Sequence, residues 1–247
     1  MSPETPEAPP ARSGSRPGRI WVLLILGLGA VGLLIGIIGI STQEPGSDFD
    51  NVVGAGDTRQ IFGGVRQLDD RLGSDDAEVQ IQYFVDVQSS TYQDQFLETI
   101  PPVVSTEVRD GDVKLLLRNR SLTRNATELS FYGVQAAARQ GYAWQYAYLM
   151  VRNQEEAEKK GRIDDEFLLN LAEAIEKMDP IQWEEDFKEG KEPGSEMEEE
   201  LIAQDKLAIS LEIRDAPAFV VSGPNGTEVL QDGPDLESLE LAIAAVR

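Results

Sequence analysis

The feature that most limits what this chain can fold into is an uncharged apolar run, residues 20–40. As a helix that rises about 1.5 Å per residue, a run of this length spans the roughly 30 Å hydrocarbon core of a bilayer. A cleaved signal peptide is the alternative, but its apolar region is usually shorter, about 7–15 residues. We therefore expect a transmembrane helix, in which Gly32 and Gly36 form a small-residue face that allows weak self-association of two spans.

Basic residues are distributed unevenly around this run. Arg12, Arg16 and Arg19 precede it, whereas the next basic residue after it is Arg59. Basic residues stay on the cytoplasmic side of a membrane. We expect a single-pass membrane protein whose N-terminus is cytoplasmic and whose remaining chain is extracytoplasmic, in the cell envelope.

The composition excludes several classes of function. The chain has no cysteine and no histidine, which removes thiol chemistry, the usual zinc ligands and the commonest general base. Its formal net charge is −22, and nucleic-acid binding needs basic residues that neutralise phosphates. We expect no cofactor, no metal site and no nucleic-acid partner.

Composition and periodicity divide the rest of the chain. Residues 1–19 are rich in Pro, Ser and Arg, which predicts a disordered cytoplasmic tail. Residues 41–76 are predicted to be a linker with one short helix, and residues 77–247 a folded domain. The short helix is indicated by apolar residues at helical spacing: Ile61, Val65, Leu68 and Leu72.

The order of apolar patterns within residues 77–247 predicts an α/β fold. Strands are predicted at 79–87, 113–117, 219–222 and 228–230. Helical patterns fill residues from about 127 to 210, between the second and third strands. A right-handed crossover makes the first two strands parallel, and a Gly-Pro-Asn-Gly turn makes the last two antiparallel. We therefore expect a mixed sheet with helices on both faces.

Two segments carry a specific pattern. They are Phe84-Val85-Asp86-Val87-Gln88-Ser89-Ser90-Thr91-Tyr92 and Ala216-Pro217-Ala218-Phe219-Val220-Val221. The pattern resembles the active-site turn and the cis-proline loop of the DsbA-like branch of the thioredoxin superfamily. This resemblance covers about residues 77–247. It implies a thioredoxin-like mixed sheet with a helical insertion at about 127–210, and a cis peptide bond before Pro217.

The family's active-site turn carries Cys-x-x-Cys, and the corresponding positions here are Ser89 and Tyr92. Thiol–disulfide exchange needs a thiolate, so the resemblance does not carry redox activity to this chain. It does imply a shallow groove that pairs with an extended peptide by β-addition. The residues implied to line this groove are Ser89, Ser90, Thr91, Tyr92, Ala216 and Pro217. Asp86 takes the family's buried-acid position.

We therefore expect no catalytic residue. The predicted function is that of a non-catalytic, chaperone-like or scaffold module that binds an extended peptide or a protein of the membrane or envelope. Three alternatives stay open. The acid-rich stretch 184–200, or the membrane span, could recruit the partner instead. Ser89 could serve a hydrolase, although a serine nucleophile needs an adjacent base and Asp86 is the only candidate nearby in sequence. The segments 84–92 and 216–221 could also have a structural role only, with function located elsewhere.

Overall fold

The computed structural model describes residues 52–119, 128–161 and 163–247. The predicted cytoplasmic tail and the predicted membrane span, residues 20–40, lie outside the described residues. Within the described ranges, no helix has both the length and the apolar character needed to cross a bilayer.

The described strands form one six-stranded sheet. In chain order they are β1 (Gln67–Leu68), β2 (Arg71–Leu72), β3 (Val79–Val85), β4 (Val113–Asn119), β5 (Ala218–Gly223) and β6 (Gly226–Leu230). Their spatial order is β1-β2-β4-β3-β5-β6. Only β3 and β4 pair in parallel in this sheet, and the other neighbours are antiparallel. The predicted parallel first pair and antiparallel last pair are both confirmed.

The described helices lie between these strands and after them. They are α1 (Ala55–Phe62), α2 (Gln93–Val103), α3 (Glu128–Arg139), α4 (Ala143–Lys159), α5 (Asp165–Glu173), α6 (Pro180–Gly190), α7 (Glu196–Ser210) and α8 (Leu236–Val246). Helices α3 to α7 all lie between β4 and β5. Pro101 lies within α2, which continues through it to Val103 before a π-helical turn, Val104–Val108.

Side chains that close helix N-termini explain where several helices begin. The carboxylate of Asp179 accepts hydrogen bonds from the amides of Ile181 and Gln182, and Pro180 occupies the first helical position of α6. Such caps satisfy amide groups that have no partner within the helix. Equivalent caps begin α5, α7 and α8: Asp164, Ser195 and Asp235.

The two faces of the sheet pack against different helices. Alternate residues of β3 point to opposite faces. Tyr83 belongs to the main core, which also includes residues of α2, α3, α4 and α8. Phe84 belongs to a second, smaller core in which Val220 of β5 meets Ala208 of α7. Helices therefore cover both faces, as the sequence pattern predicts.

Helices α3 to α7, called the helical block below, have an aromatic core of their own. The rings of Tyr146 and Trp183 stack with centroids 5.5 Å apart, and those of Trp183 and Phe187 with centroids 4.9 Å apart. Both polar groups of this stack are satisfied. The indole of Trp183 donates to the carbonyl of Gly133 over 2.9 Å, and the hydroxyl of Tyr146 donates to the carbonyl of Leu168 over 2.9 Å.

The helix predicted from apolar spacing at residues 61–72 is wrong. Helix α1 ends at Phe62, and Gly63 and Gly64 follow it. Gly64 has φ +79°, a conformation that side chains other than glycine rarely adopt. The chain then forms a hairpin, so that Leu68 and Leu72 lie in β1 and β2. The short helix of this region lies earlier, at Ala55–Phe62.

Candidate functional site

The turn that carries the sequence pattern begins at a buried acid. Asp86 follows β3 and is 3% exposed. Its carboxylate accepts a hydrogen bond from the amide of Gln88 over 3.0 Å, and its carbonyl accepts one from the amide of Ser89 over 3.0 Å. The side chain of Asn119, at the end of β4, accepts from the amide of Val87 over 3.2 Å. Buried hydrogen bonds therefore fix the backbone conformation of residues 87–89, where the chain leaves the sheet.

Beyond this acid the turn becomes accessible to solvent. Ser90–Tyr92 is a single 3₁₀ turn that leads into α2. Ser90 and Thr91 are exposed, whereas Ser89 and Tyr92 are half-buried. Ser89 occupies the N-cap position, but its side chain makes no capping hydrogen bond.

A side chain of the helical block holds the turn by a hydrogen bond. Gln154 of α4 is fully buried. Its amide nitrogen donates to the carbonyl oxygen of Ser89 over 2.9 Å. The helical block thus holds the backbone of the turn at Ser89.

The second predicted segment lies at the same end of the sheet. The peptide bond between Ala216 and Pro217 is cis, as the resemblance implied. Both residues are buried and directly precede β5. Ala218, at the start of β5, pairs with Phe84, near the end of β3. The loop before β5 and the turn after β3 therefore lie at the same edge of the sheet, on neighbouring strands.

One carboxylate connects the two segments. The hydroxyl of Tyr92 donates to Oδ1 of Asp215 over 3.4 Å. The amide of Ala216 donates to the same oxygen over 2.9 Å. Burial raises the pKa of the Tyr92 phenol above its usual 10.0, and the charges of Asp215 and Asp86 raise it further. The turn thus carries a neutral tyrosine in negatively charged surroundings.

Sequence reasoning missed Asp215. No local pattern marks it, because its partner Tyr92 is 123 positions away in the chain. Besides the strand pairing of Phe84 with Ala218, the two segments are connected through Tyr92 and Asp215. Ser89 is held instead by the helical block.

The arrangement contains no catalytic constellation in the part of the chain that the structure describes. No carboxylate or other base accepts a hydrogen bond from the hydroxyl of Ser89 within those residues. A serine nucleophile requires such a base. The same residues contain no group of three or more acidic side chains that could hold a metal ion.

A cavity of about 540 Å³ lies away from the turn. Phe62 of α1 and Tyr142, which precedes α4, are among its lining residues. So are Arg59 and Glu176, which form an ion pair 2.8 Å long. Neither the turn at 89–92 nor the loop at 216–217 contributes to this cavity.

Comparison with known proteins places the fold. No protein-family model and no curated protein matches the sequence. Among solved structures, oxidised BdbD from Bacillus subtilis matches with a TM-score of 0.60 and 17% identity, over 73% of this chain and 95% of that chain. DsbA from Chlamydia trachomatis matches with a TM-score of 0.56 and 16% identity, over 70% and 87%. A thioredoxin-like oxidoreductase from Silicibacter pomeroyi DSS-3 matches with a TM-score of 0.54 and 18% identity, over 75% and 95%.

These matches define a class of fold. The chain has a thioredoxin fold, a mixed sheet with helices. Within that class it has the DsbA-like form, which is the form the sequence pattern implied. Identities this low show the fold alone. The chain itself has no cysteine, so the thiol chemistry for which such structures are named lacks its reacting atoms here.

Proposed function

We propose that this protein is a membrane-anchored, extracytoplasmic binding module that has no catalytic activity. In this proposal an extended segment of a partner protein binds where the turn Ser89–Tyr92 meets the loop Ala216–Pro217. The observation that carries the proposal is the bridge from Tyr92 through Asp215 to Ala216, which joins the two segments without sulfur.

Exposure of the turn supports a binding role. Ser90 and Thr91 are open to solvent beside the half-buried ring of Tyr92. The loop brings backbone groups of Ala216 to the same place, and an extended peptide can pair with backbone groups of this kind. Backbone pairing would provide affinity, and contact with the half-buried ring of Tyr92 would provide selectivity.

The membrane anchor belongs to the same proposal. The apolar run at 20–40 and the arginines before it support a single span with the folded domain outside the cytoplasm. An anchored module of this kind would act on partners in the membrane or the cell envelope. Whether it assists folding or holds a complex together would depend on how long the partner stays bound.

Acidic residues on α6, on α7 and in the connection between them support a second candidate. Within the described residues, Glu185, Glu192 and Glu199 have no ion-pair partner, whereas Lys188 is paired with Glu184 and Lys191 with Asp165. These exposed carboxylates could recruit a basic partner protein. Hydrolysis by Ser89 has no such support, because no base accepts a hydrogen bond from the serine hydroxyl within residues 52–119, 128–161 and 163–247.

Site-specific crosslinking tests the first candidate. A photoreactive residue is introduced at Thr91 of the full-length protein in its native membrane. The matched control places it at Thr227, an exposed threonine of the edge strand β6. We expect an adduct at Thr91 that is lost in the Tyr92→Ala variant and absent from the control. An adduct of equal yield at both positions would contradict binding at this site.

A further inference from the structure

The carboxylate of Asp215 already occupies a backbone group that the proposed peptide needs. The amide of Ala216 is a donor next to the cis-proline, and it donates to Oδ1 of Asp215 over 2.9 Å. Tyr92 donates to that same oxygen over 3.4 Å. A peptide carbonyl that pairs with the amide of Ala216 must therefore displace a negatively charged acceptor.

Displacement by a neutral peptide is unfavourable. Hydrogen bonds to an ionised acceptor are stronger than those to a neutral carbonyl. A neutral segment would exchange the stronger bond for a weaker one and leave the carboxylate with only the longer bond from Tyr92. The bridge therefore disfavours extended segments that bring no compensating charge.

A basic segment avoids this loss. Asp215 is exposed, and within the described residues its other oxygen, Oδ2, takes part in no hydrogen bond or ion pair. The adjacent cation Arg214 does not pair with it in the same part of the chain, although the amide of Arg214 is held by Gln231. The carboxylate is therefore available to a cationic side chain from outside.

We propose that Asp215 makes this site selective for extended segments that carry a lysine or arginine next to the residue that pairs with Ala216. The carboxylate rejects neutral segments by occupying the amide of Ala216, and it attracts basic segments by forming an ion pair. Specificity that combines a repulsive and an attractive element in this way is common in natural interfaces. The inference rests on the proposed peptide-binding function and adds to it the chemical class of the partner.

Two labelled probe peptides test the selectivity. Both are short peptides of alternating valine and threonine. One has a central lysine, and the other has glutamine at that position. Their affinity for the full-length protein is measured by fluorescence anisotropy. The variants are Asp215→Ala, Asp215→Asn and the control Glu228→Ala. The control removes the same charge from an exposed position on the edge strand β6.

We expect the wild type to bind the lysine peptide about fivefold more tightly, the upper range for an exposed ion pair. In Asp215→Ala the glutamine peptide should bind more tightly than to the wild type, because the amide of Ala216 becomes open. In both Asp215 variants the preference for lysine should disappear, and Glu228→Ala should retain it. Asp215→Asn keeps an acceptor for the amide of Ala216, and it tests the loss of lysine preference if the alanine variant fails to fold.

The outcomes separate the two ideas. Equal binding of both peptides by the wild type, or a lysine preference that survives in the Asp215 variants, would overturn the selectivity and leave peptide binding intact. Absence of binding of either peptide to every variant would overturn the peptide-binding function and the selectivity with it.

Discussion

Gln154 of α4 donates a hydrogen bond from Nε2 to the carbonyl oxygen of Ser89 over 2.9 Å, and so connects the helical block to the candidate turn. The glutamine is fully buried. The next residue toward the N-terminus, Asn153, is bound to both backbone groups of Val53, at 2.8 Å and 2.9 Å. Two adjacent side chains of one helix therefore hold the first described residues and the turn.

Replacement of Gln154 by alanine should destabilise the protein. The change removes a fully buried side chain and one of the two donors to the Ser89 carbonyl, which keeps the amide of Tyr92 at 3.3 Å. The loss of one hydrogen bond costs about 0.5–1.5 kcal/mol. Urea unfolding followed by tryptophan fluorescence measures the loss. Gln60→Ala, at an exposed position of α1, is the control and should change the free energy of unfolding by less than about 0.5 kcal/mol. Equal effects of the two changes would mean that the bond to Ser89 contributes nothing.

A glycine of α3 is required by the aromatic core. A Cβ at Gly133 would lie 2.8 Å from the hydroxyl oxygen of Tyr146, whose ring is fixed by its stack on Trp183. Overpacking of this kind costs about 1–3 kcal/mol, so we expect Gly133→Ala to lower the free energy of unfolding by that amount. A Cβ at Gly56 of α1 meets nothing within 4 Å. Gly56→Ala should therefore be neutral or stabilising by up to about 1 kcal/mol. A Gly133→Ala variant as stable as the wild type would show that the stack can move.

Ionisation of Tyr92 should respond to Asp215. Burial, Asp215 and Asp86 all raise the pKa of Tyr92 above 10.0. The folded state thus retains this proton where the unfolded state loses it. Its contribution to stability is present below pH 10 and declines as the pH rises above 10.0.

NMR titration of tyrosines labelled at Cζ measures this ionisation directly. Asp215→Asn should lower the pKa of Tyr92 toward 10.0 and leave that of Tyr148 unchanged. Tyr148 has a raised pKa as well, caused by burial first and then by the charge of Asp57. Asp57→Asn is therefore the matched control and should affect Tyr148 alone. No change at Tyr92 in Asp215→Asn would mean that the hydroxyl does not face this carboxylate.

The wild type should show no thiol–disulfide exchange in an insulin reduction assay, because it has no thiol. The double variant Ser89→Cys with Tyr92→Cys restores the family spacing across the 3₁₀ turn that begins α2. A helix N-terminus lowers the pKa of a thiol and favours the thiolate. We expect exchange activity in the double variant and none in Ser89→Cys alone. An inactive double variant with intact fold would show that the turn has diverged in more than its cysteines.

The sequence predicted the central strands because apolar runs with clear boundaries form them. It missed the hairpin β1–β2, whose strands have two residues each and therefore no measurable period. It also placed a helix over residues 61–72, because the spacing of leucines was given more weight than Gly63 and Gly64. The turn and the loop were found through the family pattern. Asp215 could not be found, since only the folded chain brings it to Tyr92.

Two sets of substitutions decide between the candidate binding surfaces. The first combines Tyr92→Ala with Pro217→Ala and removes the ring of Tyr92 and the proline of the loop. The second replaces Glu185, Glu192 and Glu199 by glutamine. These three are chosen because they lack ion-pair partners in the described chain, whereas Glu196 pairs with Arg139 and Glu198 supports the start of α7. The second set therefore removes charge without removing structure.

We expect the partner that crosslinks at Thr91 to be lost in the first set and retained in the second. The salt dependence of partner binding distinguishes the turn-and-loop site from the acidic surface further. Screening shortens the Debye length from about 10 Å at 0.1 M to about 3 Å at 1 M, so recruitment by the acidic surface should fail in high salt. Binding through backbone pairing and a single ion pair at Asp215 should weaken only slightly. Loss of the partner in the second set alone would assign binding to the acidic surface of Glu185, Glu192 and Glu199, and retention in both sets would exclude both surfaces.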